Sequence, residues 1–181
     1  ISPQLLLGLR LLNEEDLLTC PQTDPEHVDY GTIIPWKTAL LRKACKRFSE
    51  TKHPSLYEKY RNFCRKNADW LDDYSLFMAL KDLHGGVSWL EWEDEYRMPD
   101  EAFKKVLHTR LAEETGFYRF IQFLFFQQWG QLKEYANAHG VRIIGDIPIF
   151  VSMDSADVWA GKHLFQLDTK GFPTAVAGVP P

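Results

Sequence analysis

A chain of 181 residues with 45% hydrophobic and 14% aromatic side chains can bury a substantial core, and a charged fraction of only 25% excludes an intrinsically disordered protein. The formal net charge of −4 at pH 7 offers no electrostatic basis for a nucleic-acid or anionic-membrane partner, because those partners need clustered lysine and arginine. Cys20, Cys45 and Cys64 form no CxxC pair, which favours reduced thiols and a cytoplasmic location.

Both ends of the sequence indicate an internal piece of a longer chain. The sequence begins with Ile1 instead of Met, and the apolar stretch 174–179 has no partner segment after it. The apolar run 5–9 is too short for a membrane span, and Arg10 interrupts it, so it also makes a poor signal peptide.

The first half of the chain is predicted to be mostly helical. Acidic residues at 13–16 suit the start of a short helix, apolar residues recur at helical spacing over 36–50, and Pro54 opens a further helix. Asp72 or Asp73 is expected to cap the next one.

Two glycines and a further aspartate indicate helix ends in the stretch that follows. Gly85 and Gly86 stop the capped helix, and Asp100 is expected to cap a helix that runs to about Glu114.

The pattern then changes to one helix and one strand. From Thr115 the chain is apolar on almost every side of a helix, which predicts burial, and Gly140 is the expected terminator. Residues 141–151 follow as a β-branched run of the kind found in buried parallel strands. A helix, a glycine and a strand in this order predict an α/β fold.

Carboxylates after that strand are the main candidates for chemistry. Asp146 stands where the strand ends, and the physics of a partly desolvated carboxylate leaves a functional and a structural role equally open. Asp154 and Asp157, with Ser155 between them and His163 nearby, suggest cation ligands, but their spacing favours a helix cap.

Aromatic residues near the loops have two interpretations. Trp89, Trp92, Trp159 and Phe165 present flat rings of the kind that stack on sugars, although such residues more often belong to a core. Residues 167–173 are typical of a turn between two short extended segments. Dinucleotide, nucleotide, zinc and serine-hydrolase motifs do not occur in the sequence.

Three stretches of these residues identify a family. Residues 145–151 (GDIPIFV), 154–159 (DSADVW) and 173–181 (PTAVAGVPP) closely resemble the amylomaltases, or disproportionating enzymes, which are 4-α-glucanotransferases of the α-amylase superfamily. The resemblance extends upstream through residues 70–74, 77–81 and 120–129 and so covers nearly the whole chain.

The resemblance implies part of a (β/α)₈ TIM barrel with an inserted, mostly helical subdomain. On that mapping residues 1–114 form the inserted subdomain, residues 115–151 a barrel helix and the third barrel strand, and residues 152–181 a loop or small subdomain at the active-site face. The family acts by a retaining double displacement with an aspartate nucleophile and a glutamate acid/base. The substrate would be a maltooligosaccharide or starch-type glucan, with no cofactor or metal, and the oligomeric state stays open.

The resemblance places no catalytic residue in this chain, because the family's catalytic carboxylates follow the segment that ends at Pro181. Asp146 matches the aspartate of the superfamily's first signature region. Asp154, Ser155 and Trp159 match positions near the cleft. All four are therefore expected to support the substrate site.

Two further hypotheses compete with the hypothesis that the chain is a fragment of this enzyme. One is a non-catalytic helical module that binds glucan or protein. The other is a metal-dependent hydrolase that uses Asp146, Asp154 and His163.

Overall fold

Helices make up most of the regular structure of the chain. A computed structural model describes residues 1–22, 24, 26–51, 53–175 and 178, so the terminal apolar stretch lies largely outside the described residues. The α-helices in these ranges are α1 (Pro3–Gly8), α2 (Glu14–Leu17), α3 (Tyr30–Glu50), α4 (Pro54–Lys66), α5 (Ala68–Leu83), α6 (Asp94–Arg97), α7 (Glu101–Arg110), α8 (Ala112–Ala138) and α9 (Ala156–Ala160). Short 3₁₀ turns lie at Trp89–Glu91 and Lys162–Leu164. No helix in the described ranges is both long enough and apolar enough to cross a membrane.

Local capping signals account for several helix ends. The carboxylate of Asp100 accepts a hydrogen bond from the amide of Phe103 at 2.7 Å, which confirms the predicted start of α7. Gly85 and Gly86 have φ values of 65° and 83°, the left-handed conformation that ends α5 as predicted. The helix capped by Asp100 ends at Arg110, earlier than expected.

The predicted cap of α5 is wrong. The helix begins at Ala68, because the carbonyl of Asn67 already accepts the amide of Leu71 at 2.8 Å, so Asp72 and Asp73 lie within it. Their carboxylates are used elsewhere: Asp72 pairs with Arg119 at 3.0 Å and Asp73 with Lys104 at 3.1 Å.

The chain divides into two compact units, Ile1–Arg65 with Phe120–Ile143 and Lys66–Arg119 with Ile144–Pro181. In the first unit the rings of Phe48 and Phe120 stack with centroids 4.9 Å apart. The buried carboxylate of Asp16 pairs there with Lys43 and Arg47.

The core of the second unit is built around tryptophan. Trp89, Trp92 and Trp159 are almost completely buried and pack with apolar residues of α5, α7 and α9. The short extended segments near Gly171 are joined by a bridge between Leu167 and Pro173, which confirms the turn predicted there.

The predicted buried strand at 141–151 is wrong for this structure. No strand forms in that segment, and residues Ile144, Ile147 and Ile149 are 92%, 85% and 90% exposed. A strand needs a neighbour to bond its N–H and C=O groups, and no described residue supplies one. The structure therefore contains no part of a barrel sheet among the described residues.

The apolar helix that precedes this segment is only half buried. α8 was expected to be covered on most sides, and Phe117, Phe120 and Leu124 in its first half are indeed buried. Its second half exposes the side chains of Phe125, Phe126, Trp129, Leu132 and Tyr135. The predicted helix is thus confirmed, and its predicted burial is wrong beyond Leu124.

Candidate functional site

Ser155 begins the short helix α9. Its hydroxyl oxygen accepts a hydrogen bond from the amide of Val158 at 3.3 Å, and Asp157 lies in the first turn. A side-chain oxygen in this place satisfies an amide that has no partner within the helix. The helix-cap interpretation of this loop is therefore confirmed for Ser155.

Asp154 does not cap the helix but holds a distant turn. Its carboxylate accepts a hydrogen bond from Lys81 Nζ at 2.7 Å and a second one from the amide of Trp89 at 3.3 Å. Lys81 Nζ also donates to the carbonyls of Gly86 and Val87, at 3.0 and 2.9 Å. One ammonium group thus ties the end of α5 to the loop before α9, and no local signal in the sequence points to Lys81.

Trp159 is a core residue in this structure. Its side chain is fully buried, and its indole Nε1 donates to the carbonyl of Tyr96 at 3.0 Å. Trp89 Nε1 likewise donates to the carbonyl of Met153 at 2.7 Å. These bonds leave the rings of Trp89 and Trp159 inside the unit, so the core interpretation holds for both, and Phe165 is partly buried beside them.

Lys162 lies against both of these indoles. Its Nζ is 5.5 Å from the ring centroid of Trp89 and 5.3 Å from that of Trp159, and it donates to the carbonyl of Trp159 at 2.5 Å. Burial, together with the nearby charge of Lys104, lowers the pKa of Lys162 to about 8. Sequence reasoning missed this lysine, since its surroundings come from segments far apart in the chain.

Lys104 also lies near Trp159, but its pKa is shifted in the opposite direction from that of Lys162. Its Nζ lies 5.4 Å from the ring centroid of Trp159 and pairs with Asp73 and Glu101, each at 3.1 Å. Burial opposes its charge, but the two carboxylates outweigh burial and raise the pKa of Lys104 above its ordinary value.

Asp146 stands apart from the other predicted site residues. It lies in the exposed segment 141–151, and its carboxylate accepts a hydrogen bond from the adjacent amide of Ile147 at 2.8 Å. The structure therefore brings Asp154, Ser155 and Trp159 into one loop and helix, while Asp146 makes no contact with them that the described residues record.

The hypothesis of a metal site gains no support from the geometry. In the part of the chain that the structure describes, no group of three His, Cys, Asp or Glu side chains could hold a metal ion. Asp154 already forms an ion pair with Lys81, and His163 is exposed.

Comparisons with known proteins point to one family. A family model described as 4-alpha-glucanotransferase matches residues 2–181. The chain is 47% identical over 178 residues to the 4-alpha-glucanotransferase of Thermus thermophilus, covering 97% of this chain and 36% of that protein. It is 40% identical over 184 residues to the Synechocystis 4-alpha-glucanotransferase, with 97% and 36% covered.

A solved structure agrees with these relatives. The amylomaltase from Streptococcus agalactiae in complex with acarbose superposes with a TM-score of 0.91 at 34% identity, covering 99% of this chain and 36% of that one. The chain thus spans about 36% of the length of the proteins it matches.

Proposed function

We propose that this chain, which belongs to the 4-alpha-glucanotransferase family, is part of an enzyme that transfers α-1,4-glucan segments to an acceptor sugar by a retaining double displacement. The observation that carries the proposal is the match over residues 2–181, together with 47% identity to a protein of that activity. The nucleophile and the acid/base are proposed to lie in sequence after Pro181. The 181 residues alone are then inactive.

The proposed substrate is a maltooligosaccharide or starch-type glucan in the cytoplasm. The similar amylomaltase from Streptococcus agalactiae was solved in complex with acarbose, which supports a carbohydrate ligand for the whole enzyme. Asp146, Asp154, Ser155 and Trp159 are proposed to support the site without performing the chemistry.

The exposed apolar segment supports the proposed barrel. Ile144, Ile147, Ile149 and Phe150 present large apolar side chains to solvent, which is unfavourable at about 25 cal/mol per Å² of apolar surface. We assign residues 115–151 to a barrel helix and the third barrel strand, which neighbouring strands would cover on both faces. Residues 1–114 are then the inserted helical subdomain, and residues 152–181 a loop or small subdomain at the active-site face.

The contacts of Asp154 and Trp159 suggest how they would serve the site. Both side chains are engaged with other parts of their own unit, at Lys81 and at the carbonyl of Tyr96. We therefore assign them a positioning role: they fix the backbone of 153–161. Asp146, whose carboxylate has no such engagement among the described residues, is left available for a ligand or a catalytic neighbour.

A disproportionation assay tests the proposal. The purified 181-residue chain and the full-length polypeptide are each incubated with maltotriose, and glucose and longer maltooligosaccharides are measured by chromatography. We expect both products from the full-length polypeptide and neither from the 181 residues. Transfer by the 181 residues alone would contradict the location of the catalytic carboxylates, and maltooligosaccharide binding without turnover by the full-length polypeptide would favour a binding module.

Two aspartate variants of the full-length polypeptide test the site roles. Asp146→Asn is expected to lower kcat by about tenfold or more, because it removes a charge at the proposed floor of the site. Asp157→Asn, the matched control in the first turn of α9, should leave kcat within about twofold. Equal kcat values for the two variants would show that Asp146 does not support the site.

A further inference from the structure

Trp89 touches a later segment of the second unit at its beginning, its middle and its end. The indole Nε1 donates to the carbonyl of Met153 at 2.7 Å, and the backbone amide of Trp89 donates to the carboxylate of Asp154 at 3.3 Å. The Nζ of Lys162 lies 5.5 Å from the ring centroid. At Gly171 the backbone comes so close that an added Cβ would lie 3.1 Å from Cζ3 and 3.2 Å from Cη2 of the indole.

The segment 153–171 needs support from outside itself. Its regular structure consists of the five-residue helix α9, a short 3₁₀ turn and one isolated bridge around Gly171. Helices of this length are marginal without tertiary contacts. The shape of the segment therefore depends on the side chains against which it packs, and the contacts of Trp89 reach from one end of it to the other.

The ring of Trp89 does not reach a sugar directly. The residue is fully buried, so its ring offers no free face on which a ligand could stack. Any effect of Trp89 on the proposed reaction must therefore pass through the segment that it holds. That segment belongs to residues 152–181, which the proposed function assigns to the active-site face.

We propose that Trp89 is a positioning residue for the glucan site: its indole and its amide fix the segment 153–171 in the shape that the site requires. This proposal rests on the proposed function, because that function assigns the segment to the active-site face. Misplacing a supporting element by about 1 Å can lower the rate of an enzyme about 100-fold. Trp89 thus contributes to transfer without touching the glucan.

Trp92 supplies a matched control. It is almost completely buried in the same core as Trp89, and its indole Nε1 has no hydrogen-bond partner among the described residues. Its ring stacks on His84, with centroids 4.8 Å apart, and meets the edge of Trp159 at 6.4 Å. Replacing either tryptophan by phenylalanine removes the same volume, but only Trp89→Phe also removes a hydrogen bond to the backbone and the ring atoms beside Gly171.

Hydrogen exchange of the full-length protein, measured by mass spectrometry, tests whether Trp89 holds the segment. The amide of Asp168 donates to the carbonyl of Phe172 at 2.8 Å, and the amide of Gly171 donates to the carbonyl of Asp168 at 3.0 Å. We expect these amides to exchange at least about tenfold faster in Trp89→Phe than in the parent, and within about threefold of the parent in Trp92→Phe. Parental rates in Trp89→Phe, or equal acceleration in both variants, would overturn the proposal.

Disproportionation of maltotriose by the full-length protein tests the consequence for transfer. We expect Trp89→Phe to lower kcat by about tenfold or more and Trp92→Phe by less than about threefold, although both should lower the urea midpoint of unfolding. The assay is run at a temperature at which circular dichroism shows each variant to be folded, so that a lower kcat does not reflect a loss of folded protein. Equal losses of kcat would show that both tryptophans act through stability alone, which would overturn the proposal.

Gly171→Ala disturbs the same contact from the opposite side, and it takes the place of Trp89→Phe in both measurements if that variant does not fold. Its added Cβ pushes the turn away from the indole. We expect it to lower kcat in the parent and to lower kcat less in Trp89→Phe, where the smaller ring leaves room, and additive losses would overturn the proposal. A parent protein with the expected exchange rates but without transfer would overturn the proposed function and leave the structural role of Trp89 supported.

Discussion

Asp154 and Lys81 form an ion pair of 2.7 Å across 73 residues of sequence. The same lysine donates to the carbonyls of Gly86 and Val87, and the same aspartate accepts from the amide of Trp89. The pair therefore fixes two backbone segments at once: the turn after α5 and the loop before α9.

Asp154→Asn should weaken this connection. The side chain of Asp154 is 39% exposed, so solvent screens the pair, and we expect a loss of only about 1 kcal/mol in the free energy of unfolding. Urea unfolding followed by tryptophan fluorescence measures it, because Trp89, Trp92 and Trp159 lie in this unit. Asp157→Asn is the control. A double-mutant cycle with Lys81→Met should give a coupling energy of the same size, and additive losses would show that the two residues do not interact.

Gly171→Ala should destabilise the turn that packs on Trp89. Gly171 has a φ of 88°, and an added Cβ would lie 3.1 Å from Cζ3 of Trp89 and 3.4 Å from the sulfur of Met98. Strain and crowding together predict a loss of about 1–3 kcal/mol in the free energy of unfolding. Thermal unfolding measures it.

Gly130→Ala is the matched control for that substitution. Gly130 lies inside α8, and its added Cβ would meet nothing within 4 Å. Alanine is the better helix former by about 1 kcal/mol, so this variant should gain stability. A loss for Gly130→Ala as large as that of Gly171→Ala would contradict the conformational argument.

Asp16 should make the first unit sensitive to acid. Burial on its own would raise the pKa of this carboxyl, but hydrogen bonds from Arg47 and Lys43 outweigh burial and hold the pKa far below its ordinary value. The stabilisation is therefore present above the unfolded-state pKa of about 3.9 and is lost as the pH falls through the lower folded-state pKa.

Asp16→Asn tests this relation. At pH 7 we expect the variant to lose about 2–3 kcal/mol in the free energy of unfolding, because Arg47 keeps its partly buried charge while Lys43 is half exposed. The difference between variant and parent should shrink below about pH 4. Urea unfolding by circular dichroism at several pH values measures it, with the exposed Glu58→Gln as control. A difference that stays constant with pH would show that the pKa of Asp16 is not lowered by its partners in the folded state.

The parts of the fold that sequence reasoning predicted depend on local signals. Asp100 and the pair Gly85 and Gly86 act on residues within five positions, so their effects can be seen in a short window of sequence. The cap expected at Asp72 or Asp73 failed because their partners, Arg119 and Lys104, lie more than thirty residues away.

The strand and the candidate site depend on contacts that no single stretch of sequence contains. A β-branched run at 141–151 becomes a strand only beside another strand, and the described residues provide none. The family resemblance, which the match over residues 2–181 confirms, came from residue identity. It predicts that Asp154 and Trp159 lie near the cleft, which stays a prediction, and it gave no role to Lys81 or Lys162.

Lys162→Met should stabilise the second unit at neutral pH and change its response to alkali. Burial and the charge of Lys104 lower the pKa of Lys162 to about 8, so the folded state loses this proton before the unfolded state does. Between about pH 8 and pH 10.5 the unfolded chain binds more protons, and stability contributed by this group therefore rises with pH. Below pH 8 the penalty for burying the charge is fully present.

The variant removes both the penalty and its pH dependence. Because Lys162 is only partly buried, we expect the stability advantage of Lys162→Met over the parent to fall by roughly 1 kcal/mol between pH 7 and pH 9.5. Urea unfolding by tryptophan fluorescence at each pH measures it, and taking the difference between the two proteins cancels the titration of other groups. Lys170→Met, at an exposed position, should give a difference that does not vary with pH. A parent protein that loses stability relative to Lys162→Met as the pH rises would show that the two indoles and the carbonyl of Trp159 stabilise the ammonium more than burial destabilises it.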